Sequence, residues 1–218
     1  MSQLVAWPVL LPLVAGFVLL FATAGGLRLQ RIINLVAVLG VTGLALALVG
    51  VAADDVHRVY ALGNWVPPFG IVLVLDRLSA LMVGLTMLLA LGSLAYAIAT
   101  GVDERGPHFH VLFQLQLFGL NGAFLTGDVF NLFVFFEVLL LASYGLLLHG
   151  GGRLRTKAGL HYVVINLVGS TLFLFAVGAL YGVLGSLNLA DMAQRVAEAP
   201  AENHGLIGAP ACSCWWCS

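Results

Sequence analysis

Glu137 is the residue with the most chemistry to offer, because of its surroundings. It lies near the middle of the apolar stretch 129–148, with Phe133, Val134, Phe135 and Phe136 before it and Val138, Leu139, Leu140 and Leu141 after it. About 20 apolar residues in a helix cross a bilayer. An acid at such a depth costs about 2.5–3.5 kcal/mol to insert and is normally turned toward the interior of a helix bundle. Hydrocarbon favours its neutral form and a neighbouring cation favours its charged form. A carboxyl held between those two pressures is suited to taking up and releasing a proton. The competing reading is a permanently protonated acid that bonds a neighbouring helix as packing glue.

Partners for Glu137 must come from other helices. Residues sharing its face are Phe130, Phe133, Val134, Leu140, Leu141 and Tyr144, and that face is mostly apolar. The next apolar stretch offers Lys157 and His161, four residues apart and therefore on one helix face, and Asn166 with Ser170 on another. His161 can relay protons near neutral pH or act as an interfacial hydrogen-bonding residue. Lys157 is a relay candidate too, or a side chain reaching to the interface. Gln114, Gln116 and Asn121 make the stretch before residue 126 unusually polar, which suits either a wetted channel or interhelical bonding.

The elements that must position these groups are membrane helices. The 218 residues are 61% hydrophobic and 9% charged, with a mean hydropathy of +1.05. Soluble domains carry about 25% charged residues. Helices are expected at about 4–24, 32–53, 76–100, 109–126, 129–148 and 158–187. The fold class is thus all-α integral membrane, with about six transmembrane helices and the start of a seventh. Residues 1–205 form the membrane domain. Pro8 and Pro12 fall in the first turns of the first helix, and that helix, lacking a charged leader, is read as retained. The pair Asp76 and Ser79 suits a helix start. The segment 158–187 is long for one span, and Gly169, Ser170 and Thr171 offer a place to loosen it. A short surface helix is expected at 189–199.

Basic residues set the orientation. Alternate loops place Arg28, Arg31, Arg105, Arg153, Arg155 and Lys157 on one side, against Arg58, Arg77 and Arg195 on the other. That asymmetry puts the first set in the cytoplasm and the N-terminus outside. No basic patch suggests nucleic acid.

The three cysteines, Cys212, Cys214 and Cys217, lie in the last seven residues. They lack a fourth zinc ligand, His204 being the nearest histidine, so no metal site is expected. Residues 206–218 read as an aberrant tail. Shifting the reading frame by two nucleotides across 211–218 would turn it into Leu, Val, Met and Phe, the start of a seventh helix.

Three blocks carry a family resemblance: PPFGIVLVLDRLSALM at 67–82, GLNGAFLTGDVFNLFVFFEVLLLASYGLLLHGG at 119–151, and KAGLHYVVINLVGSTLFLFAVGALYGVLGSLNLADM at 157–192. They resemble the proton-translocating membrane subunits shared by Mrp-type multisubunit monovalent cation/proton antiporters and respiratory complex I, and most closely the D subunits of the antiporters. The resemblance implies the N-terminal part of a fold of roughly fourteen helices built from inverted repeats with broken central helices. It implies that Glu137 is the essential glutamate of the fifth helix, paired with a lysine on the seventh helix, beyond this sequence. It implies a transporter subunit rather than an enzyme, with no cofactor. Its partners would be the other subunits of a hetero-oligomer, the lipid bilayer, protons and a monovalent cation such as Na⁺, in a bacterial inner membrane. Two alternatives stand beside it. One is a membrane-arm subunit of NADH:quinone oxidoreductase or a membrane-bound hydrogenase. The other is an inactive truncated scaffold.

Overall fold

The computed structural model describes residues 2–54, 58–61, 71–198, 207–208 and 210. The cysteine tail and the frame-shift reading of 211–218 lie outside them. The helices are α1 (Trp7–Ala22), α2 (Leu27–Val51), α3 (Arg77–Ala99), α4 (Phe109–Leu125), α5 (Val129–Leu148), α6 (Arg153–Leu184) and the short α7 (Leu189–Glu198). The stretches containing α1, α2, α3, α5 and α6 are long and apolar enough to cross a membrane, and α4 is a shorter apolar helix of 17 residues. At 1.5 Å per residue α4 measures roughly 26 Å, close to the thickness of the hydrocarbon core.

The helix starts differ from the sequence expectation for local reasons. The second helix begins at Leu27 instead of near residue 32, because Gly26 at φ 88° supplies the break. Likewise, α6 begins at Arg153, after Gly150, Gly151 and Gly152 all take positive φ. Its 32 residues make it roughly 48 Å long, so its first turns, with Arg153, Arg155 and Lys157, extend past the hydrocarbon. Gly169, Ser170 and Thr171 do not interrupt α6, since both hydroxyls bond back to the Leu167 carbonyl, at 3.2 and 2.7 Å. Two aspartates start helices from outside: Asp76 accepts from the Ser79 N–H at 2.6 Å, and Asp128 from that of Asn131 at 2.8 Å.

Between α2 and α3 the chain forms a small antiparallel hairpin, β1 (Arg58–Ala61) against β2 (Val72–Leu75), with Arg58 opposite Leu75 and Ala61 opposite Val72. The hairpin holds the α4–α5 turn: Gly127 N–H donates to the Val72 carbonyl at 2.8 Å.

The bundle is built around α4, which packs against α1, α3 and α5. A stripe on α2 (Asn34, Val38, Val41, Ala45, Leu48) and one on α3 (Ala80, Val83, Met87, Leu94, Ala97) bury at helical spacing into the same core. Outside that core, α6 packs on α5 and leaves Leu160, Ile165, Leu167, Val168 and Phe175 exposed.

One contact explains how α1 tolerates a proline in its interior. Trp7 opens the helix, so Pro8 is in its first turn, whereas Pro12 is inside it and not in the opening turn where a proline is free. Pro12 has no N–H for the Pro8 carbonyl four residues back. Asn121 of α4 fills the gap, its Nδ2 donating to that carbonyl at 2.8 Å. Without water to replace it, an unpaired carbonyl here is costly. Asn121→Leu should therefore lower unfolding stability in detergent by about 1–3 kcal/mol. In a Pro12→Ala background, where residue 12 regains its N–H, the same substitution should cost clearly less. Equal costs in the two backgrounds, measured as a double-mutant cycle by thermal unfolding, would show that the bond to Pro8 is not what Asn121 supplies.

Candidate functional site

Two glycines set the position of Glu137. A Cβ on Gly122 of α4 would fall 2.2 Å from the Phe135 ring, and one on Gly119 would fall 2.9 Å from the Leu139 backbone. With nothing but hydrogen at those positions, α5 closes onto α4 on either side of residue 137. Glu137 is half-buried there, and its Oε1 is buried with no hydrogen-bond partner among the described residues.

The α5–α6 pairing places the other candidates. Phe133 stacks on Phe173 at 6.1 Å, Tyr144 meets Tyr162 edge-on at 5.6 Å, and Gly159 lies against Leu148. These contacts run antiparallel and put Gly169 level with Glu137. A Cβ on Gly169 would meet nothing within 4 Å, so α6 leaves open space at that height. His161 and Lys157 are eight and twelve residues nearer the helix start, roughly 12 and 18 Å away along the axis. Both are exposed, and His161 Nδ1 donates to the Lys157 carbonyl at 2.8 Å. Among the described residues no ion pair joins either to Glu137.

The three amides of α4 part company. Asn121 bonds α1 and Gln114 bonds α2 through Asn34, so both join helices. Gln116 instead lines an open cleft of about 750 Å³ with Phe113, Ser143, Leu147 and Tyr162, and its buried Oε1 has no partner among the described residues. That cleft lies between α4, α5 and the start of α6, and its lining is mostly apolar apart from Gln116, Ser143 and Tyr162.

A second polar group escaped the sequence reading. Arg31, at the start of α2, donates to the Asp103 carboxylate from Nε at 2.6 Å and from Nη2 at 2.9 Å, and to Glu104 at 2.9 Å. Asp103 is fully buried in the 3₁₀ turn before α4 and also faces His110. Read along the chain, Arg31 is one more basic loop residue and Asp103 one more loop acid. Only a polar stripe at helical spacing (Gln30 and Asn34 on α2, His110 and Gln114 on α4) marks their helices as more than apolar.

With this geometry in view, likeness to known proteins is specific. Residues 126–210 match the family described as NADH:quinone oxidoreductase/Mrp antiporter, transmembrane. The D subunit of a probable K(+)/H(+) antiporter from Rhizobium meliloti is 50% identical over 95% of this chain and 39% of its own length. The D subunit of the Na(+)/H(+) antiporter from Alkalihalophilus pseudofirmus is 44% identical over 91% and 40%. The solved Mrp complex of a Dietzia species superposes with a TM-score of 0.85 at 32% identity, covering 99% of this chain and 40% of that one. The chain is similar to the N-terminal part of the D subunit of an Mrp-type antiporter. It spans about two-fifths of the length of these curated relatives. The all-α, multi-pass membrane reading and the resemblance to antiporter D subunits therefore stand.

Electrostatics at the arginine-bearing end has a measurable sign. The hydrogen bonds from Arg31 hold the Asp103 carboxyl below its ordinary value of 3.8, outweighing the effect of burial. A carboxyl depressed in the folded state stabilises the fold fully above its unfolded value, and that contribution is lost as the pH falls through the folded one. Arg31→Gln should remove the stabilisation and leave a buried acid that prefers its proton. The variant's deficit, followed by thermal unfolding, should be largest near neutral pH and shrink below about pH 4. A deficit independent of pH would mean that Arg31 acts by packing alone.

Proposed function

We propose that this chain is the Glu137-bearing portion of a proton-translocating subunit. The subunit works in a multisubunit monovalent cation/proton antiporter of a bacterial inner membrane, with its N-terminus outside. In it, external protons would be exchanged for cytoplasmic cation, with Na⁺ as the proposed cation and K⁺ the alternative raised by the Rhizobium relative's name. The observation that carries the reading is Glu137 itself. It is an acid at mid-helix, clamped to α4 by Gly119 and Gly122, with a buried Oε1 lacking a partner among the described residues and open space beside it at Gly169.

Glu137 would take up and release the proton. A cation approaching through that open space would favour the carboxylate, and its withdrawal would favour the neutral acid. His161 and Lys157, far along α6, would extend the path toward the arginine-bearing end, with Gln116 in the intervening cleft. The basic side chains gathered at that end, Arg31, Arg105, Arg153, Arg155 and Lys157, support its assignment to the cytoplasm.

In the full-length protein assembled with its partner subunits, Glu137→Gln should abolish growth at high salt in an antiporter-deficient host. Cation-driven proton movement in everted vesicles should fall by about 100-fold or more. Wild-type salt tolerance would overturn the proposal. Response to Na⁺ but not K⁺, or the reverse, assigns the cation. The family description also admits a subunit of NADH:quinone oxidoreductase. Proton movement that requires NADH and a quinone, and no cation gradient, would select that reading.

A further inference from the structure

The charged group at the arginine-bearing end continues inward as a row of buried side chains that the Glu137 reading does not use. Asp103 Oδ2, bonded to Arg31, lies 3.3 Å from His110 Nε2, though too poorly aligned for a full hydrogen bond. His110 Nδ1 accepts from Asn34 Nδ2 at 2.8 Å, and Asn34 Oδ1 accepts from Gln114 Nε2 at 2.6 Å. Asp103, His110, Asn34 and Gln114 are all 0% exposed. The row has a direction. With Nδ1 accepting, the ring proton sits on Nε2, where it faces the Asp103 carboxylate. The reverse arrangement would set a bare nitrogen lone pair against that carboxylate.

We propose that His110 is a proton-binding site, separate from Glu137, whose occupancy is passed inward by reversal of the Asn34 and Gln114 amides. Two observations support it independently. The first is charge. Among the described residues, Arg31 is the cation paired with both the buried Asp103 and the exposed Glu104. A proton on His110 would thus place its charge beside a buried carboxylate instead of alone in the bundle. Around His110 also lie His108, at the N-cap of α4, and Arg28, three residues before Arg31 on α2. His149, at the end of α5, tilts against Phe109 at 5.2 Å and has its Nε2 3.1 Å from the Val102 carbonyl. Arg105 and Arg155 lie beyond it at Gly150. No titratable residue occurs in α1, and α3 brings only the exposed Tyr96 to this end.

The second observation is an acceptor without a donor. An imidazolium has two N–H groups, and the new proton must go on Nδ1 because Nε2 already carries one. Asn34 can accept from Nδ1–H only by turning its amide to offer Oδ1. Its Nδ2 then points at Gln114, which must turn to offer Oε1. Gln114 Oε1 is a buried atom with no partner among the described residues in the present arrangement. The atom left over when His110 is neutral is the one that its protonated form employs. The proton comes from water at the partly exposed Arg31 and exposed Glu104. The amides carry no proton themselves; they transmit orientation from the interface to the middle of the bundle.

The test is ¹⁵N NMR of the full chain in lipid nanodiscs, with His110 assigned through His110→Gln. Above neutral pH the ring should show Nε2 protonated and Nδ1 bare. On acidification both nitrogens should become protonated, and the Asn34 and Gln114 side-chain amide signals should move with the same midpoint. Glu104→Gln, a change at an exposed residue, should keep the fold and lower that midpoint by about 0.5 pH unit. The proposal is overturned if the ring stays singly protonated down to the pH at which the helices melt. It is equally overturned if the ring titrates while the amides stay still, or if Nδ1 carries the proton in the neutral state. All three outcomes are read on the unmodified chain, so a variant that fails to fold leaves the test intact.

Discussion

Hydrocarbon offers a polar group no substitute for a lost partner, and the bundle is arranged around meeting that demand inside α4. Asn121 repairs the carbonyl that Pro12 orphans in α1, and Gln114 reaches α2 through Asn34. At the interface the same rule governs the arginine-bearing end, where the buried Asp103 is matched by Arg31. Each of these bonds joins α4 or its leading turn to another helix, one to α1 and two to α2. The contacts of α4's few polar side chains, and of the turn before it, are therefore what tie α1, α2 and α4 into one unit.

Against that background the unsatisfied atoms are informative. Buried oxygens of Gln114, Gln116, Asn121 and Glu137 lack partners among the described residues. Gln114 and Asn121 nonetheless each bond another helix through the amide nitrogen, whereas among the described residues no bond ties Gln116 or Glu137 across helices. Both residues lie on the side of α4 and α5 toward α6, away from the tightly paired α1–α2 contacts. Gly119 and Gly122 bring α5 so close to α4 that residue 137 has little freedom in depth or rotation. On the α6 side, a Cβ on Gly169 would meet nothing within 4 Å. Rigidity on one side and room on the other suit an acid whose partner must approach and withdraw.

Apolar length and the isolated carboxylate made the membrane class, the order of the helices and the prominence of Glu137 legible in the sequence. The block wording carried the family as well. Helix starts were less legible: periodic apolar patterns fade at interfaces, and consecutive positive-φ glycines, not hydrophobicity, set where α6 begins. The hairpin of β1 and β2 was missed because strands of four residues leave too little alternation to read.

What the sequence by itself determined is what depends on neighbours along the chain: spans, caps at Asp76 and Asp128, and an acid surrounded by phenylalanine and leucine. Tertiary structure alone decided the partners. Arg31 and Asp103 are 72 residues apart, and Asn121 and Pro8 are 113 apart. Such pairings follow from which helix faces meet, and several faces of an all-apolar helix are equivalent by composition. The glycines that let α4 and α5 touch, and the prolyl carbonyl that needed a donor, broke that equivalence.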